Sequence, residues 1–455
     1  MAESLLSLGL DVGTTSTQMV LSRLTVENKA SPFAVPTLEI VDRKVIYRSR
    51  VHFTPLIRDT LVDGEALKEL LRQEYRAAGI RPEQVDTGAL IITGETSRKE
   101  NAAAAARALA EFAGEFVVTT AGPDLESILA AKGAGAVELS VETSKPVLHM
   151  DIGGGTSNLA LIRQGVVERT GCLNVGGRLI KLDKMGMLTY VSPELAGICS
   201  MKPGSCPGEG ELEALAETLT QALEMAAGLR EVTPLLKRLM TREGRAWVPP
   251  GEEAVISFSG GVADCIDRQH SPTEFGDLGV YLGRAIRQSR LCRGEYRLGR
   301  ETIRATVIGA GCHSTQLSGS TVFTKNVRFP LKDLPVARIT YAEQEGDLPG
   351  TIRARTAPFE ADVILALPGY TSPSYGQVTH LAEQIADTVQ GPVYLCLEQD
   401  MAKALGQAIA ARLEPARPVL CLDRVAPGAD SYLDVGAPLG PALPVVVKTL
   451  IVGNS

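Results

Sequence analysis

Two short stretches of this chain follow one pattern. Leu8-Gly9-Leu10-Asp11-Val12-Gly13-Thr14-Thr15-Ser16-Thr17-Gln18 is the first, and Leu148-His149-Met150-Asp151-Ile152-Gly153-Gly154-Gly155-Thr156-Ser157-Asn158 is the second. Each runs from an apolar lead-in through Asp, an apolar residue, Gly and a Gly/Thr/Ser run to an amide side chain. An apolar strand that enters a tight turn and returns as a second strand is a way to cradle phosphate. Gly13 lets backbone N–H groups approach an anion, and Thr14, Thr15 and Ser16 add hydroxyl donors. Asp11 and Asp151 would stand beside the phosphates, which makes sense only with a cation between them. Mg2+ suits that place, because it takes one or two carboxylates plus phosphate oxygens and keeps several waters. Gly153, Gly154, Gly155 and Thr156 would close on the terminal phosphate. A Gly-rich hairpin explains either copy alone. Two copies in register, 140 positions apart, point to facing cradles around a nucleoside triphosphate, and so to a two-domain ATP-binding protein.

A third element supports this. Val255-Ile256-Ser257-Phe258-Ser259-Gly260-Gly261-Val262-Ala263-Asp264 is an apolar strand that runs into Ser-Gly-Gly and opens a helix. Ser259, Gly260 and Gly261 would let the backbone lie against the base or ribose of the nucleotide. Gly309-Ala310-Gly311 does not complete G-x-G-x-x-G and no G-x-x-x-x-G-K-[ST] occurs, so the chain carries neither a Rossmann fingerprint nor a P-loop. The glycine cluster is read instead as a close backbone contact between domains.

The 455 residues allow two to four domains and a sizeable core. Aromatic residues make up 4% and glycines number 45, which fits an aliphatic α/β protein with many tight turns. The net charge of −7 argues against nonspecific nucleic-acid binding. The basic stretch from Arg284 to Arg304 reads as a solvated helix face. Asp11 interrupts the only early apolar run, so no signal peptide is expected, and no apolar run reaches transmembrane length. Eight scattered Cys without a C-x-x-C pair predict reduced thiols in the cytoplasm.

Apolar periodicity predicts strands at Leu5–Asp11, Gln18–Leu24, Leu38–Tyr47 and Ala89–Thr93, with a helix at Gly64–Ala78. An Ala-rich helix is expected at Asn101–Phe112, and another at Asp124–Lys132 that Gly133 would cap. The polar run Val141–Pro146 marks a first boundary. Strands at Val147–Ile152, Asn158–Arg163 and Gly165–Cys172 then repeat the opening, and Glu211–Arg230 reads as a strong helix. A βαβαβ rhythm after about residue 330 predicts a smaller third α/β unit with a parallel sheet. The expected division is 1–146, 147–329 and 330–455.

This order of elements resembles the superfamily of actin, sugar kinases and heat-shock chaperone ATPases, in which two ribonuclease-H-like domains clamp Mg-ATP. The resemblance implies that Asp11 orders metal-bound water, that Asp151 orders the metal and the attacking water, and that Ser259 to Gly261 touch adenosine. One departure stands out. The superfamily commonly has Glu before a Pro in the segment joining the domains, whereas here Gly122 precedes Pro123. Asp124 or Glu126 would have to substitute. More specific stretches resemble the ethanolamine ammonia-lyase reactivating factors, the EutA family: Thr93–Asn101 (TGETSRKEN), Ala121–Ser127 (AGPDLES), Phe258–Asp264 (FSGGVAD), Arg304–Gly311 (RATVIGAG) and Tyr432–Leu439 (YLDVGAPL). That resemblance spans nearly the whole chain. It implies a chaperone with ATP and Mg2+ as cofactors and ethanolamine ammonia-lyase as partner, which releases damaged cobalamin so that intact adenosylcobalamin can bind. It also implies a slow ATPase in the cytoplasm, with or without association with an ethanolamine-utilisation microcompartment, and leaves a homo-oligomer open.

Other readings have less behind them. His149, in a buried strand beside Asp151, reads as a packed or hydrogen-bonded core histidine. Cys312-His313 has no partner pair at metal-ligand spacing. A small-molecule kinase or an actin-like filament protein would share the fold. An activator carrying a bridging iron–sulfur cluster would need paired Cys that the chain lacks.

Overall fold

The computed structural model describes residues 3–13, 16–29, 38–58, 61–92, 101, 105, 108–109, 112–113, 117–120, 123–241, 247–250, 254–272, 274–313, 315–319, 321–359, 362–427, 431–438 and 442–449, with backbone alone at 3, 117–120, 123–124 and 448–449. Most of the predicted Ala-rich helix, the 93–100 stretch, and Thr14 and Thr15 lie outside the described residues.

The opening residues fold as a sheet of β1 (Glu3–Val12), β2 (Ser16–Asn28), β3 (Leu38–Arg48), a short β4 (His52–Phe53) paired to the start of β2, β5 (Thr87–Ile92) and β6 (Val117–Thr120). The order is β3-β2-β1-β5-β6. Pairing is antiparallel through β1, β2 and β3, and parallel from β1 to β5 to β6. Helix α1 (Gly64–Ala78) matches its predicted span. Asp63 accepts from the Ala66 N–H at its start, and Gly79 ends it in the left-handed region at φ 68°. Leu67, Leu71 and Tyr75 form the stripe that α1 buries.

Two helices follow, α2 (Pro123–Ala134) and α3 (Ala136–Glu142). The next sheet holds β7 (Val147–Ile152), β8 (Ser157–Arg163), β9 (Val166–Leu173), β12 (Val255–Ser259) and β13 (Tyr296–Leu298) in the order β9-β8-β7-β12-β13. Between β9 and β12 come the hairpin β10 (Ile180–Leu182) and β11 (Leu188–Val191), and helix α4 (Glu209–Ala226). Helices α5 (Asp264–Asp267) and α6 (Gly279–Gln288) follow β12. Pairing is again antiparallel for the first three strands and parallel for the rest. The sequence repeat is therefore a fold repeat: two equivalent sheets, each opening on a cradle hairpin. This duplicated arrangement of two sheets is the one that the resemblance to the actin-like ATPases implies.

The two units exchange helices. Ala131 of α2 and Ala136 of α3 pack with Val147, Ala160, Ile162 and Val255 of the second sheet. Helix α7 (Ala305–His313) packs back onto the first, with Val307, Ile308 and Cys312 against Val20. A cut at Pro146 therefore divides the sequence but not the packing. Helices α2 and α7 cross at glycines. Gly133 does not cap α2 as the sequence predicts. It sits inside the helix, where a Cβ would collide with the carbonyl of Ala305, just as one on Gly309 would collide with that of Leu129.

The third sheet begins earlier than predicted and has more strands. It is built from β14 (Gln316–Leu317), β15 (Phe323–Lys325), β16 (Leu331–Arg338), β17 (Ile364–Leu367), β18 (Val393–Leu397), β19 (Val419–Asp423), β20 (Ser431–Val435) and β21 (Pro444–Thr449). Only the central run β16-β17-β18-β19 is parallel, and antiparallel strands flank it on both sides. The sequence shows the parallel core through its βα rhythm, whereas two- and three-residue edge strands carry too little periodicity to read. Alternate residues of β18 enter opposite cores. Val393, Leu395 and Leu397 meet helices on one face, and Tyr394 and Cys396 pack on the other. Among the described residues no helix is long and apolar enough to cross a membrane.

Candidate nucleotide site

The ends of the two cradle hairpins face one cleft of about 680 Å³. Their local geometry is the same. The N–H of Gly13 donates to the carbonyl of Ser16 at 2.9 Å, and that of Gly153 to Thr156 at 2.9 Å. Asp11 lies opposite Gln18 in the β1–β2 register, and Asp151 opposite Asn158 in β7–β8. The first cradle is braced by Thr54, whose hydroxyl donates to the Gly13 carbonyl at 2.7 Å. The second is braced by the N–H groups of Gly177 and Arg178, which donate to the carbonyls of Gly153 and Gly154 at 3.0 and 2.6 Å. Asp11, Gly13, Ser16, Asp151, Gly153, Gly154, Gly155, Thr156, Gly260 and Gly261 all line the cleft.

Glu126, in the first turns of α2, joins Asp11 and Asp151 at this cleft. Its carboxyl is pushed well above the usual range, first by burial and then by the negative charges of Asp11 and Asp151, with a hydrogen bond from Asn158 opposing. Burial also raises Asp151, against hydrogen bonds from Ser259 and Thr306. Three carboxylates brought together without a cation are mutually unfavourable. Glu126 is one of the two candidates for the missing linker glutamate, and it lines the cleft.

Ser259 stands apart from the other sequence candidates. It is fully buried and does not line the cleft. Its hydroxyl donates to Asp151 Oδ1 at 2.5 Å, so it faces the carboxylate and not a nucleoside. The parallel pairing of Ser259 with Asp151 puts it there. Gly260 follows in the left-handed region at φ 86°, close to the Ile152 carbonyl, where a Cβ has no room.

Several cleft residues lack a sequence signal. Arg178 packs along Gly154, and its Nε stands 3.2 Å from Asp277 Oδ2. Asp277 Oδ1 in turn accepts from the Gly279 N–H at the start of α6, at 2.8 Å. Lys181 lies over the Tyr190 ring, 5.3 Å from its centroid. These residues come from loops and a short hairpin outside the two copies of the pattern. Gln18 and Asn158 did carry a signal: they are the amides that close the two copies of the pattern.

A second hollow, of about 1060 Å³, lies on the flank of the second unit and is lined by Arg268, Arg284 and Arg287 among others. Arg268 and Arg287 are paired with Asp264 and Asp267, and Arg284 donates to the His270 carbonyl. The basic stretch noted in the sequence is largely committed to such internal contacts. All eight Cys are free. Among the described residues, no group of three or more His, Cys, Asp or Glu is arranged to hold a metal.

Residues 3–453 match the family described as ethanolamine utilisation protein EutA. The chain belongs to the EutA family. It is 37% identical to the ethanolamine ammonia-lyase reactivase EutA of Escherichia coli (strain K12) and 38% identical to that of Salmonella typhimurium, over 98% of both chains in each case. Among solved structures, the Aquifex aeolicus PPX-GPPA enzyme matches with a TM-score of 0.41 and 12% identity, covering 68% of this chain and 99% of that one. The ethanolamine utilization protein EutJ from Carboxydothermus hydrogenoformans matches with a TM-score of 0.35 and 17% identity, covering 67% and 89%.

Proposed function

We propose that this EutA-family protein is an ATP- and Mg2+-dependent reactivating chaperone of adenosylcobalamin-dependent ethanolamine ammonia-lyase. In this reading it promotes exchange of damaged cobalamin for intact adenosylcobalamin. The reactivase relatives, aligned over nearly their whole length, support the lyase as partner. The observation that carries the nucleotide part is the pair of equivalent cradles opening on one cleft, with Asp11, Glu126 and Asp151 on its floor.

The floor fits a hydrated cation. Gln18 Oε1 and Asn158 Oδ1 are buried and have no hydrogen-bond partner. The amide nitrogen of Gln18 is committed to the Ile303 carbonyl at 3.2 Å, and the Asn158 side chain bonds Glu126. Three carboxylates and two free acceptors call for donors, and the waters around Mg2+ are donors. Asp11 and Asp151 would hold the ion. Gly13, Thr14, Thr15 and Ser16 would take phosphate oxygens from one side, and Gly153, Gly154, Gly155 and Thr156 from the other. Gly260 and Gly261 would lie against the nucleoside. Bound Mg2+ supplies charge neutralisation on the phosphates. Glu126, with its raised proton affinity, suits the group that orients a water and takes its proton.

Nucleotide would act on the lyase by binding open and closed clefts with different affinity, because only a difference shifts the equilibrium. The test is recovery of activity. Lyase loaded with an inactive cobalamin is mixed with this protein, ATP, Mg2+ and free adenosylcobalamin. Recovery that needs both ATP and this protein is expected. Absence of recovery while ATP still binds would keep the nucleotide site and overturn the reactivase reading.

A further inference from the structure

Behind Asp151 lies a chain of buried polar groups that does not reach the cleft. Ser259 Oγ donates to Asp151 Oδ1 at 2.5 Å. A hydroxyl has one hydrogen, and that bond uses it. The same Oγ stands 2.9 Å from His149 Nε2. With its hydrogen committed, Ser259 can only accept there, so Nε2 carries the proton. On the other side of the ring, Nδ1 stands 3.0 Å from Ser257 Oγ. Register makes the chain possible: His149 pairs with Ser257 and Asp151 with Ser259 across the parallel strands β7 and β12, so all four side chains share one face.

The fold does not require this arrangement. The intervening pair, Met150 and Phe258, is apolar and belongs to the main core of the second unit. Apolar filling on the other face would avoid the cost of burying three polar side chains, which is tolerable only because each has a partner. His149, Ser257 and Ser259 are all at most 1% exposed, so none of them contacts a ligand.

We propose that His149 is a positioning residue for the metal site. By donating to Ser259 it leaves that hydroxyl a single direction, toward Asp151. The bond fixes Oδ1, while Thr306 of α7 stands 3.3 Å from Oδ2. The carboxylate is thus held from both sides and presents its remaining lone pairs to the cleft. Without the imidazole donor, the Ser259 hydroxyl regains its rotation and Asp151 loses its fixed orientation. The inference rests on the reading of Asp151 as a metal-holding residue.

The test uses the full chain and reads Mn2+·ADP binding beside ADP binding in EDTA. His149→Phe keeps a ring and removes the donor. It should weaken Mn2+·ADP by about tenfold or more, the scale for lost outer partners of metal sites, and leave metal-free ADP binding unchanged. His149→Gln offers an N–H toward Ser259 and a carbonyl toward Ser257, and should restore affinity. Ser259→Ala should match His149→Phe, and the double variant should be no weaker than either, because one acts through the other. Additive losses, or wild-type Mn2+·ADP affinity in folded His149→Phe, would overturn the proposal. A loss that is equal with and without metal would also overturn it. Should His149→Phe not fold, Ser259→Ala and His149→Gln decide, and a Gln variant as weak as Ser259→Ala counts against it. If the wild type binds ADP no better with Mn2+ than in EDTA, the metal reading of Asp151 falls and takes this inference with it. Metal-dependent wild type with unaffected variants removes only the role of His149.

Discussion

Gly309 of α7 lies against the backbone carbonyl of Leu129 in α2, with no space for a side-chain carbon between them. The reciprocal contact, Gly133 against Ala305, lies one turn away. Each helix begins near one wall of the cleft. Glu126 stands in the first turns of α2, and Thr306 near the start of α7 bonds Asp151. The crossing thus joins the chain segments that carry the cleft's carboxylate chemistry. At these two points the contact is backbone against backbone, while Leu129 and Ala310 share a small buried cluster beside it.

Gly309→Ala should destabilise the protein by about 1–3 kcal/mol, the usual cost of overpacking. Alanine gains roughly 1 kcal/mol of helix propensity over glycine, so an uncrowded site would show stabilisation instead. Denaturant unfolding measures the sign. Gly210→Ala, on the exposed N-terminal turn of α4 with open space around it, is the control and should be neutral or stabilising.

Glu126 gives the apo protein a specific pH dependence. Its carboxyl is raised in the fold, chiefly by burial and then by Asp11 and Asp151. The native state therefore holds a proton that the unfolded chain has already lost, and stability falls as pH rises from the unfolded value of about 4.3 through the raised folded value. Glu126→Gln removes this loss. Thermal unfolding without nucleotide should show the variant more stable than the wild type at neutral pH, with the two converging below about pH 4. Equal separation at every pH would mean that the charge is not the cause. Lyase reactivation by the same variant should drop, because a glutamine cannot take a proton from water.

The two cradle hairpins were legible in the sequence because they are local and repeated. Asp, Gly and the closing amide sit at fixed offsets on one hairpin, and the strand register turns those offsets into cross-strand pairs such as Asp11–Gln18. Helix α1 was legible because the apolar spacing that includes Leu67, Leu71 and Tyr75 is the stripe it buries. What did not show is what folding brings from afar. Ser259 looked like a ligand contact from its place before Gly260-Gly261, but the parallel pairing of β12 turns it under Asp151. Gly133 looked like a helix stop because local sequence cannot reveal a second helix crossing at that point. Arg178 and Asp277 are 99 positions apart, and nothing in either neighbourhood announces the other.

That pair yields a further expectation. Arg178 covers Gly154 in the second cradle and neutralises Asp277, which is only 6% exposed. Arg178→Ala should weaken ATP binding by about tenfold, as expected for loss of a charge-assisted contact to phosphate of about 1.5 kcal/mol. It should also lower stability, because a buried carboxylate loses its cation. Arg178→Lys should not restore binding, since an ammonium lacks the planar donors of a guanidinium. Calorimetric titration with ATP, beside thermal unfolding, separates the two effects.

The two aspartates at the cradle ends make the strictest demand on the proposed function. Asp11→Ala and Asp151→Ala should each abolish Mg-ATP-dependent reactivation while leaving the chain folded, because each removes a charge that repels Glu126 when no cation is present. The wild type should gain thermal stability on adding Mg2+ and ATP in proportion to RT ln(1 + [L]/Kd), about 2.7 kcal/mol at a hundredfold excess over Kd. Neither variant should show that gain. Both variants must fail for the facing-cradle arrangement to hold, since each side of the cleft supplies one carboxylate. Retained ATP-dependent reactivation in both would remove the metal from the site and leave the symmetry of the two hairpins without a chemical purpose.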